Sequence, residues 1–347
     1  MAATEQELLP FRLNTRQRIA KVGTIPFASG QRATGLEIPR VGFLNRIIVF
    51  LRGTMNAGAA SALADLGPWQ LINRLQVNVN IGSAQLIDLS GYGAYLFGSV
   101  LERAFAPDKA GIGATVPHID NFSAPTANGN NVWNLCYILP IAANQGMNFD
   151  AGLINLQAQE VRCTLDLTFG TPADAITVVG TGFTGTAHIY YEYYELPPEG
   201  VMFPPRMLHR ILEEVQPITA TGDQPYTVPR MGTMLQLIHL IRTNGARSDS
   251  IDEFRLHFNK TDNVYFSEKF ERRMHNRLEW GIDLPVGAYG WDFWHSSEDV
   301  SEGDNRDTIN TQKITTLESI VKITTGTVIG AGNNFLHSIR RIVQELE

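Results

Sequence analysis

The chain has 347 residues, of which 44% are hydrophobic and 18% are charged. This balance excludes an intrinsically disordered chain, and the length suffices for two domains of ordinary size. The net charge of −7 is uneven, because residues 1–52 carry +5 and the remainder carries −12. A basic segment on an acidic body predicts that one end faces an anionic partner, although an ordinary solvated arm fits the same numbers.

The first 17 residues precede any strand pattern and are predicted to form an arm. The opening MAATEQELLP has an acidic start and no apolar core of a signal peptide, and no run reaches the roughly 18 apolar residues of a membrane span. Cys136 and Cys163 lie in apolar, strand-like runs without metal-ligand spacing, so we expect buried thiols. These features predict a soluble protein kept in a reducing compartment.

One stretch of the sequence occurs twice. Residues 38–52 read IPRVGFLNRIIVFLR, and residues 228–242 read VPRMGTMLQLIHLIR. At one constant offset the copies share Pro, Arg and Gly near their starts and Arg at their ends. Each copy is a nearly all-apolar run of strand length, typical of a strand buried on both faces. A repeat on this scale predicts two copies of one domain.

The first domain is predicted to span residues 18–196. Early strand patterns lead to an alternating run from Trp69 to Ile81 and to a partner strand, AQLIDLS. Ser90 is a candidate N-cap for a helix from Gly91 to Arg103. Residues 104–131 form a long polar loop of a kind that is usually functional. The strands VWNLCYILPI, EVRCTLDLTF and TAHIYYEYYEL then complete the domain.

The second domain repeats this order. Residues 197–209 are predicted to be a Pro-rich linker, and residues 210–347 form the second domain. Ser267 is a candidate N-cap for a helix through about Leu278, with one stripe formed by Phe270, Met274, Arg277 and Leu278. Residues 335–346 fit a helix by periodicity and a strand by their place in the repeat; we favour the strand. The predicted fold class is all-β: two tandem eight-stranded jelly-roll β-sandwiches, each with one short mid-domain helix.

The sequence offers no catalytic or cofactor site. The eight histidines have no metal-ligand spacing, and His239, within the repeated strand, is predicted to be a satisfied core histidine. The acidic loop 296–308 carries carboxylates that suit Ca²⁺, but its spacing is not that of an EF-hand, which favours a solvated loop. GxSxG, a P-loop and a dinucleotide-binding motif are also absent from the sequence. We therefore predict a protein that is not an enzyme and needs no cofactor or metal.

From Arg18 to Glu347, the order and length of the elements resemble the double jelly-roll major capsid proteins of tailless icosahedral viruses, including bacteriophages with an internal membrane. The resemblance rests on the paired segments 38–52 and 228–242 and on the two mid-domain helices. That family has no diagnostic short motif, so it assigns no functional residue here.

The resemblance implies a structural role in the virion. It predicts a homotrimer that forms a pseudo-hexameric capsomer, assembled into an icosahedral shell in the host cytoplasm. The implied partners are neighbouring capsomers and minor capsid or vertex proteins, without sequence-specific nucleic acid binding. Arg12, Arg16, Arg18 and Lys21 would then face inward, where lipid headgroups of an internal membrane or genome phosphates could attract them.

Two alternatives use the same β-sandwich architecture. A carbohydrate-binding or carbohydrate-cleaving protein would need an exposed aromatic face with a carboxylate pair, for which Trp291, Trp294 and Asp292 are the candidates. The run Tyr190–Tyr194 and the cluster Tyr289–Trp294 could form such a face, but strand alternation favours a core or a subunit interface for them. A metal-dependent bicupin also has tandem jelly rolls, and the missing histidine cluster counts against it.

Overall fold

The computed structural model describes residues 9–56, 59, 62–80, 84–101, 130–144, 150–259, 262–281, 283–294, 308–330 and 332–345. The chain divides into two compact units, one ending at His209 and the other beginning at Arg210. Each unit is a sandwich of two antiparallel sheets with a buried hydrophobic core. The predicted all-β class is therefore confirmed.

The first unit has eight principal strands in its described part. They pair in the order β1-β8-β3-β6 in one sheet and β5-β4-β7-β2 in the other. The first strand thus lies beside the eighth and the second beside the seventh, which is the connectivity of a jelly roll. The strands are β1 (Gln17–Pro26), β2 (Arg32–Glu37), β3 (Phe43–Asn56), β4 (Ile72–Val79), β5 (Ala84–Ser90), β6 (Asn130–Pro140), β7 (Cys163–Phe169) and β8 (Gly182–Tyr194). Shorter elements are the two-residue strands Ala143–Asn144, Asp150–Ala151 and Ile154–Asn155 and the 3-10 turns Trp69–Leu71 and Pro172–Asp174.

The second unit repeats this connectivity strand for strand. Its sheets have the orders β9-β16-β11-β14 and β10-β15-β12-β13. The predicted pair of tandem eight-stranded jelly rolls is therefore confirmed. The strands are β9 (Met207–Pro217), β10 (Gly222–Thr227), β11 (Thr233–Thr243), β12 (Ile251–Phe258), β13 (Asp262–Glu268), β14 (Ala288–Asp292), β15 (Leu317–Ile323) and β16 (Phe335–Glu345). Shorter elements are the strands Ala246–Arg247 and Ile309–Asn310 and the 3-10 turn Thr311–Lys313.

The repeated stretch becomes the third strand of each domain, β3 and β11, and its shared glycine has a steric cause. Gly42 and Gly232 precede these strands with φ of +64° and +136°. A Cβ atom would lie 2.1 Å from the carbonyl oxygen of Tyr194 at the first position and 2.5 Å from that of Val343 at the second. Only glycine therefore lets the chain pass this closely beside the last strand of its own domain.

Strand alternation places the core as the sequence predicts. In β7 the buried and half-buried residues alternate, with Cys163, Leu165, Leu167 and Phe169 buried. Cys136 and Cys163 are both free and buried, as predicted. Burial disfavours the thiolate and raises the pKa of Cys163 to about 12.

Each domain has its predicted mid-domain helix, and only one of the two N-cap predictions is right. The helices are α1 (Phe11–Asn14) in the arm, α2 (Gly91–Tyr95), which continues as a π-helical turn over Leu96–Leu101, and α3 (Lys269–Trp280). The Ser90 side chain accepts a hydrogen bond from the Gly93 amide at 3.0 Å, which confirms that cap. Ser267 instead pairs with Phe254 inside β13, because the strand continues for one more residue. Glu268 is the N-cap of α3, in a capping box with Glu271.

Two further predictions are settled by local packing. The run from Trp69 begins as a 3-10 turn, in which Trp69 stacks on Tyr95 with ring centroids 3.8 Å apart, and the strand begins only at Ile72. Residues 335–345 form strand β16, which pairs with β11 as the repeat predicts. Nearly every residue of β16 is buried, so its apolar pattern lacks the usual alternation.

Candidate functional site

The described part of the arm pairs with the Pro-rich segment that follows the first domain. Leu9 forms a parallel bridge with Val201. The Leu9 amide donates to the Gly200 carbonyl at 3.0 Å, and the Met202 amide donates to the Leu9 carbonyl at 2.9 Å. The arm and this segment therefore form one backbone-bonded unit.

Phe11 anchors the arm in the first domain. Its side chain is 4% exposed and belongs to an apolar cluster with Phe43, Tyr194 and Val201. Its ring lies edge-on to Phe43 and Tyr194, with centroids 5.3 and 5.5 Å away. Such edge-to-face pairs add to the hydrophobic gain from burial. This packing holds the neighbouring basic residues at a defined place.

Three of the four predicted basic residues gather around Tyr194 and Glu195. The Arg12 guanidinium carbon is 6.0 Å from the centre of the Tyr194 ring. Arg18 Nε lies 2.8 Å from Glu195 Oε1, and this hydrogen bond is the main cause of a raised Arg18 pKa. The Arg16 carbonyl accepts from the Glu195 amide at 2.9 Å, while the Arg16 side chain is exposed.

Lys21 belongs to a different group. Arg18 and Lys21 lie three residues apart in β1, so their side chains point to opposite faces of the sheet. On its face Lys21 lies near His188 and Arg52. Partial burial, followed by the charges of Lys21 and Arg52, lowers the pKa of His188.

His188 and Arg52 were not predicted as site residues. Arg52 is the last residue of the repeated segment and is shared by both copies, but a sequence pattern cannot show which residues of neighbouring strands meet on one face.

The arm and the Pro-rich segment paired with it also expose large apolar side chains. Leu9 is 53% exposed, Leu13 66% and Phe203 62%. We call the set Leu9, Arg12, Leu13, Arg16 and Phe203 the arm surface. A surface that mixes basic and apolar side chains suits an anionic, partly apolar partner such as a lipid interface.

The aromatic residues proposed as a sugar platform are buried. Tyr289, Trp291 and Phe293 lie in the core of the second domain. Trp294 is 1% exposed, and the Arg341 guanidinium carbon lies 5.1 Å from its ring centre. The prediction that alternation turns these rings inward is therefore confirmed. Within the Tyr190–Tyr194 run, Tyr191 and Tyr194 are also buried.

His239 is a satisfied core residue, as predicted. Its Nδ1 lies 2.9 Å from Ser338 Oγ, and its Nε2 lies 2.8 Å from Ser319 Oγ in the opposite sheet. Complete burial disfavours the charged ring and lowers its pKa to about 3. The imidazole is therefore neutral and bridges the two sheets.

Within the described ranges, the structure has neither a cluster of metal-ligating side chains nor a membrane-spanning helix. No group of three or more His, Cys, Asp or Glu side chains there could hold a metal ion. No helix in that part of the chain is both long and apolar enough to cross a membrane. The acidic loop 296–308, apart from Thr308, and nearly all of the polar loop 104–131 lie outside the described residues.

No protein-family model matches the sequence, and no curated protein sequence matches it significantly. Comparison of structures gives a different result. The STIV MCP, from Sulfolobus Turreted Icosahedral Virus, is similar with a TM-score of 0.69 and 13% identity, over 94% of this chain and 97% of that one. The PBCV-1 virus capsid gives a TM-score of 0.64 at 10% identity, over 96% of this chain and 95% of that one.

The major capsid protein P2 of bacteriophage PM2 is similar over 96% of this chain and 98% of that one, with a TM-score of 0.57 and 10% identity. These structures are double jelly rolls, and the likeness spans both domains of the present chain. At such identities the comparison establishes the fold, which agrees with the resemblance drawn from the sequence.

Proposed function

We propose that this chain is a major capsid protein that builds the shell of an icosahedral virion. The observation that carries the proposal is the coverage of almost the whole chain, both domains included, by a capsid protein fold. Burial of the candidate aromatic platform removes the specific feature that favoured a carbohydrate-binding protein. The role is structural and not enzymatic.

The assembly unit we propose is a homotrimer whose six jelly rolls form a pseudo-hexameric capsomer. Its partners are neighbouring capsomers and minor capsid or vertex proteins, and assembly takes place in the host cytoplasm. We divide the chain into an arm (1–17), a first jelly roll (18–196), a linker (197–209) and a second jelly roll (210–347). The backbone bonds of Leu9 to the 200–202 segment suggest that arm and linker act together.

The arm surface is proposed to face the interior of the shell. Arg12 and Arg16 supply positive charge there, and Arg18, outside the arm surface at the start of β1, adds less because Glu195 offsets part of its charge. Leu13 and Phe203 add apolar area that a lipid interface could cover. Lys21 lies on a separate face with Arg52 and His188, so we assign it a weaker part in the same contact.

The oligomeric state tests the central proposal. Light scattering on a sizing column should find a species of three times 38.4 kDa, about 115 kDa. Negative-stain images of that peak should show pseudo-hexagonal outlines. A chain that stays monomeric at all concentrations and forms no particles under assembly conditions would contradict the proposal.

Flotation with vesicles tests the arm surface. The wild-type protein should float with vesicles of anionic phospholipid and much less with neutral ones. Leu13→Gln together with Arg16→Gln should abolish flotation, while Val328→Gln, at an equally exposed site in the second domain, should leave it unchanged. Equal flotation of both variants would refute the assignment. Binding to nucleic acid without flotation would assign the surface to genome phosphates instead.

A further inference from the structure

Helix α3 is turned opposite to the usual arrangement of a surface helix. Its buried residues are Arg272, Asn276 and Trp280. Its apolar residues face outward: Phe270 is 77% exposed, Met274 48% and Leu278 70%. A helix that packs on its own domain normally buries its apolar stripe. The buried polar residues have specific partners, and these partners explain why the helix faces this way.

The inward face of α3 fits the sixth strand of its domain. The Asn276 side chain donates to the Gly290 carbonyl at 2.6 Å and accepts from the Gly290 amide at 3.1 Å. Arg272 lies over Trp291, with its guanidinium carbon 4.3 Å from the ring centre, and pairs with Glu279. These bonds fix the rotation of the helix, because turning it would leave Asn276 and Arg272 without these partners.

The apolar residues follow a helical spacing of four. Phe270, Met274 and Leu278 therefore lie one above another on a single face, which we call the α3 stripe. The α3 stripe consists of three large side chains spread over more than two helical turns. Contiguous exposed apolar surface of this kind marks a contact with another molecule.

The charges beside the α3 stripe indicate what that molecule is. By helical geometry, the exposed Arg273 and Arg277 lie on one side of the stripe and Glu271 lies on the other. Arg273 is already paired with Asp249 at 2.6 Å, whereas Arg277 lies 3.5 Å from Asp283 in a solvent-exposed pair of the weak kind that a partner's carboxylate can replace. Two copies of α3 packed in parallel would set the basic side of one against the acidic side of the next. Antiparallel copies would set like charges together. The stripe therefore complements itself in a parallel, rotational arrangement, which is the kind that closes into a ring.

We propose that the α3 stripe packs against the α3 stripe of a second copy of this chain, in parallel, with Arg277 of one copy beside Glu271 of the next. This inference deepens the proposed function, on which it rests, by naming the helix through which the copies of the trimer meet. The contact would bury Phe270, Met274 and Leu278, which remain exposed in the single chain.

Cross-linking of the full chain tests the contact directly. Cys136 and Cys163 are buried, so a cysteine introduced on the surface is the reactive one. Met274→Cys, treated with a short thiol cross-linker, should give covalent dimers in most of the sample. Val328→Cys, whose position is also exposed and lies off the stripe, should give almost none. Equal yields from the two variants would overturn the inference.

Two matched substitutions measure the strength of the contact. Leu278→Glu should raise the concentration at the midpoint of trimer formation by about tenfold or more. Val328→Glu, at a residue that is likewise 70% exposed, should leave it unchanged.

A charge reversal tests the parallel arrangement. Glu271→Arg and Arg277→Glu should each weaken the trimer, and the double variant should recover it. Recovery would come from contacts between copies, because the two residues are too far apart around one helix to pair within it. Failure of this recovery would contradict the parallel arrangement.

The outcomes separate this inference from the proposed function. A wild-type trimer that tolerates Leu278→Glu and gives no Met274→Cys cross-link would refute the α3 contact and leave the capsid role standing. A wild-type chain that forms neither trimers nor particles would refute both. Thermal unfolding of the Met274→Cys and Leu278→Glu variants should match that of the wild-type monomer, since these side chains are exposed. Glu271→Arg also removes the capping-box partner of Glu268, so it should lower monomer stability slightly, and by the same amount in the single and the double variant.

Discussion

The two domains place a helix at the same point of the fold, between their fifth and sixth strands, and turn it in opposite ways. In the first domain Tyr92, Ala94 and Phe97 are buried along α2 and its π-helical continuation. In the second domain α3 buries Arg272 and Asn276 and leaves its apolar residues exposed. An apolar stripe thus shows that a helix has a face to cover, without showing whether its own domain or another molecule covers it.

The inner face of the third strand differs between the domains in a similar way. Val49 and His239 occupy equivalent positions of the repeat, and both are fully buried. Val49 pairs with the apolar Ile189, whereas His239 bonds to two serines. The first domain fills this buried position with an apolar side chain. The second fills it with a histidine that hydrogen-bonds to a serine in each of the two sheets. At this position, only the second domain has a titratable side chain, whose protonation should affect its stability.

The same substitution on the two helices tests the comparison most strongly. Phe97→Ala should lower the free energy of unfolding by about 3–5 kcal/mol, because the side chain is 1% exposed and its loss leaves a cavity. Phe270→Ala, at a side chain that is 77% exposed, should change it by no more than about 0.5 kcal/mol. Chemical denaturation of dilute, monomeric protein measures both. Similar losses for the two variants would mean that the stripe already packs within the chain.

The polar inward face of α3 provides the next test. Arg272→Ala should cost about 2–4 kcal/mol at pH 7, because it leaves the partly buried Glu279 carboxylate without its cation. Burial already raises the pKa of Glu279, and Arg272 opposes this shift. Without Arg272 the pKa rises further, so the cost should grow as pH rises through it and shrink near pH 4.

Arg272→Met serves as the control for this test, because it keeps apolar packing over Trp291 while removing the charge. Urea unfolding of the two variants at pH 4 and pH 7 would measure the pH dependence. A pH-independent difference from the wild type would indicate that packing over Trp291, and not the ion pair, holds the helix.

His239 should make the second domain sensitive to acid. Its folded pKa of about 3 lies below the value near 6.5 of an unfolded histidine, so the unfolded state binds the extra proton. Stability from the neutral ring is complete above pH 6.5 and falls by about 2 kcal/mol between pH 6.5 and 5. His239→Gln, which cannot titrate, should be less stable at pH 7 and should lack this decline. Parallel pH profiles for the two proteins would contradict the assignment.

Much of the fold could be predicted from the sequence because the duplicated strand sets the frame. Position within the repeat correctly made residues 335–345 a strand, where local periodicity suggested a helix. Periodicity failed there because β16 is buried along nearly its whole length. Alternation succeeded in β7, which has one buried and one half-buried face.

The candidate site was less predictable, because it depends on contacts between strands far apart in sequence. Arg12, Arg16 and Arg18 could be chosen from the charge of the N-terminal segment alone. Lys21 is separate from them because its side chain lies on the other face of β1. Its proximity to Arg52 and His188 depends on the register of three strands, β1, β8 and β3. The exposure of the α3 stripe depends on the hydrogen bonds between Asn276 and Gly290, which the spacing of residues in the sequence does not predict.

The smallest expected effect concerns Ser90 and Ser267, the two serines that the sequence predicts as helix N-caps. Ser90→Ala removes the oxygen that accepts the Gly93 amide and should cost about 1 kcal/mol. Ser267 is 4% exposed and lies in strand β13, where its hydroxyl has no hydrogen-bond partner among the described residues. Ser267→Ala should therefore be neutral or slightly stabilising. Thermal unfolding of the two variants would rank them, and equal losses would show that Ser267 contributes to the start of α3 through a contact other than a cap.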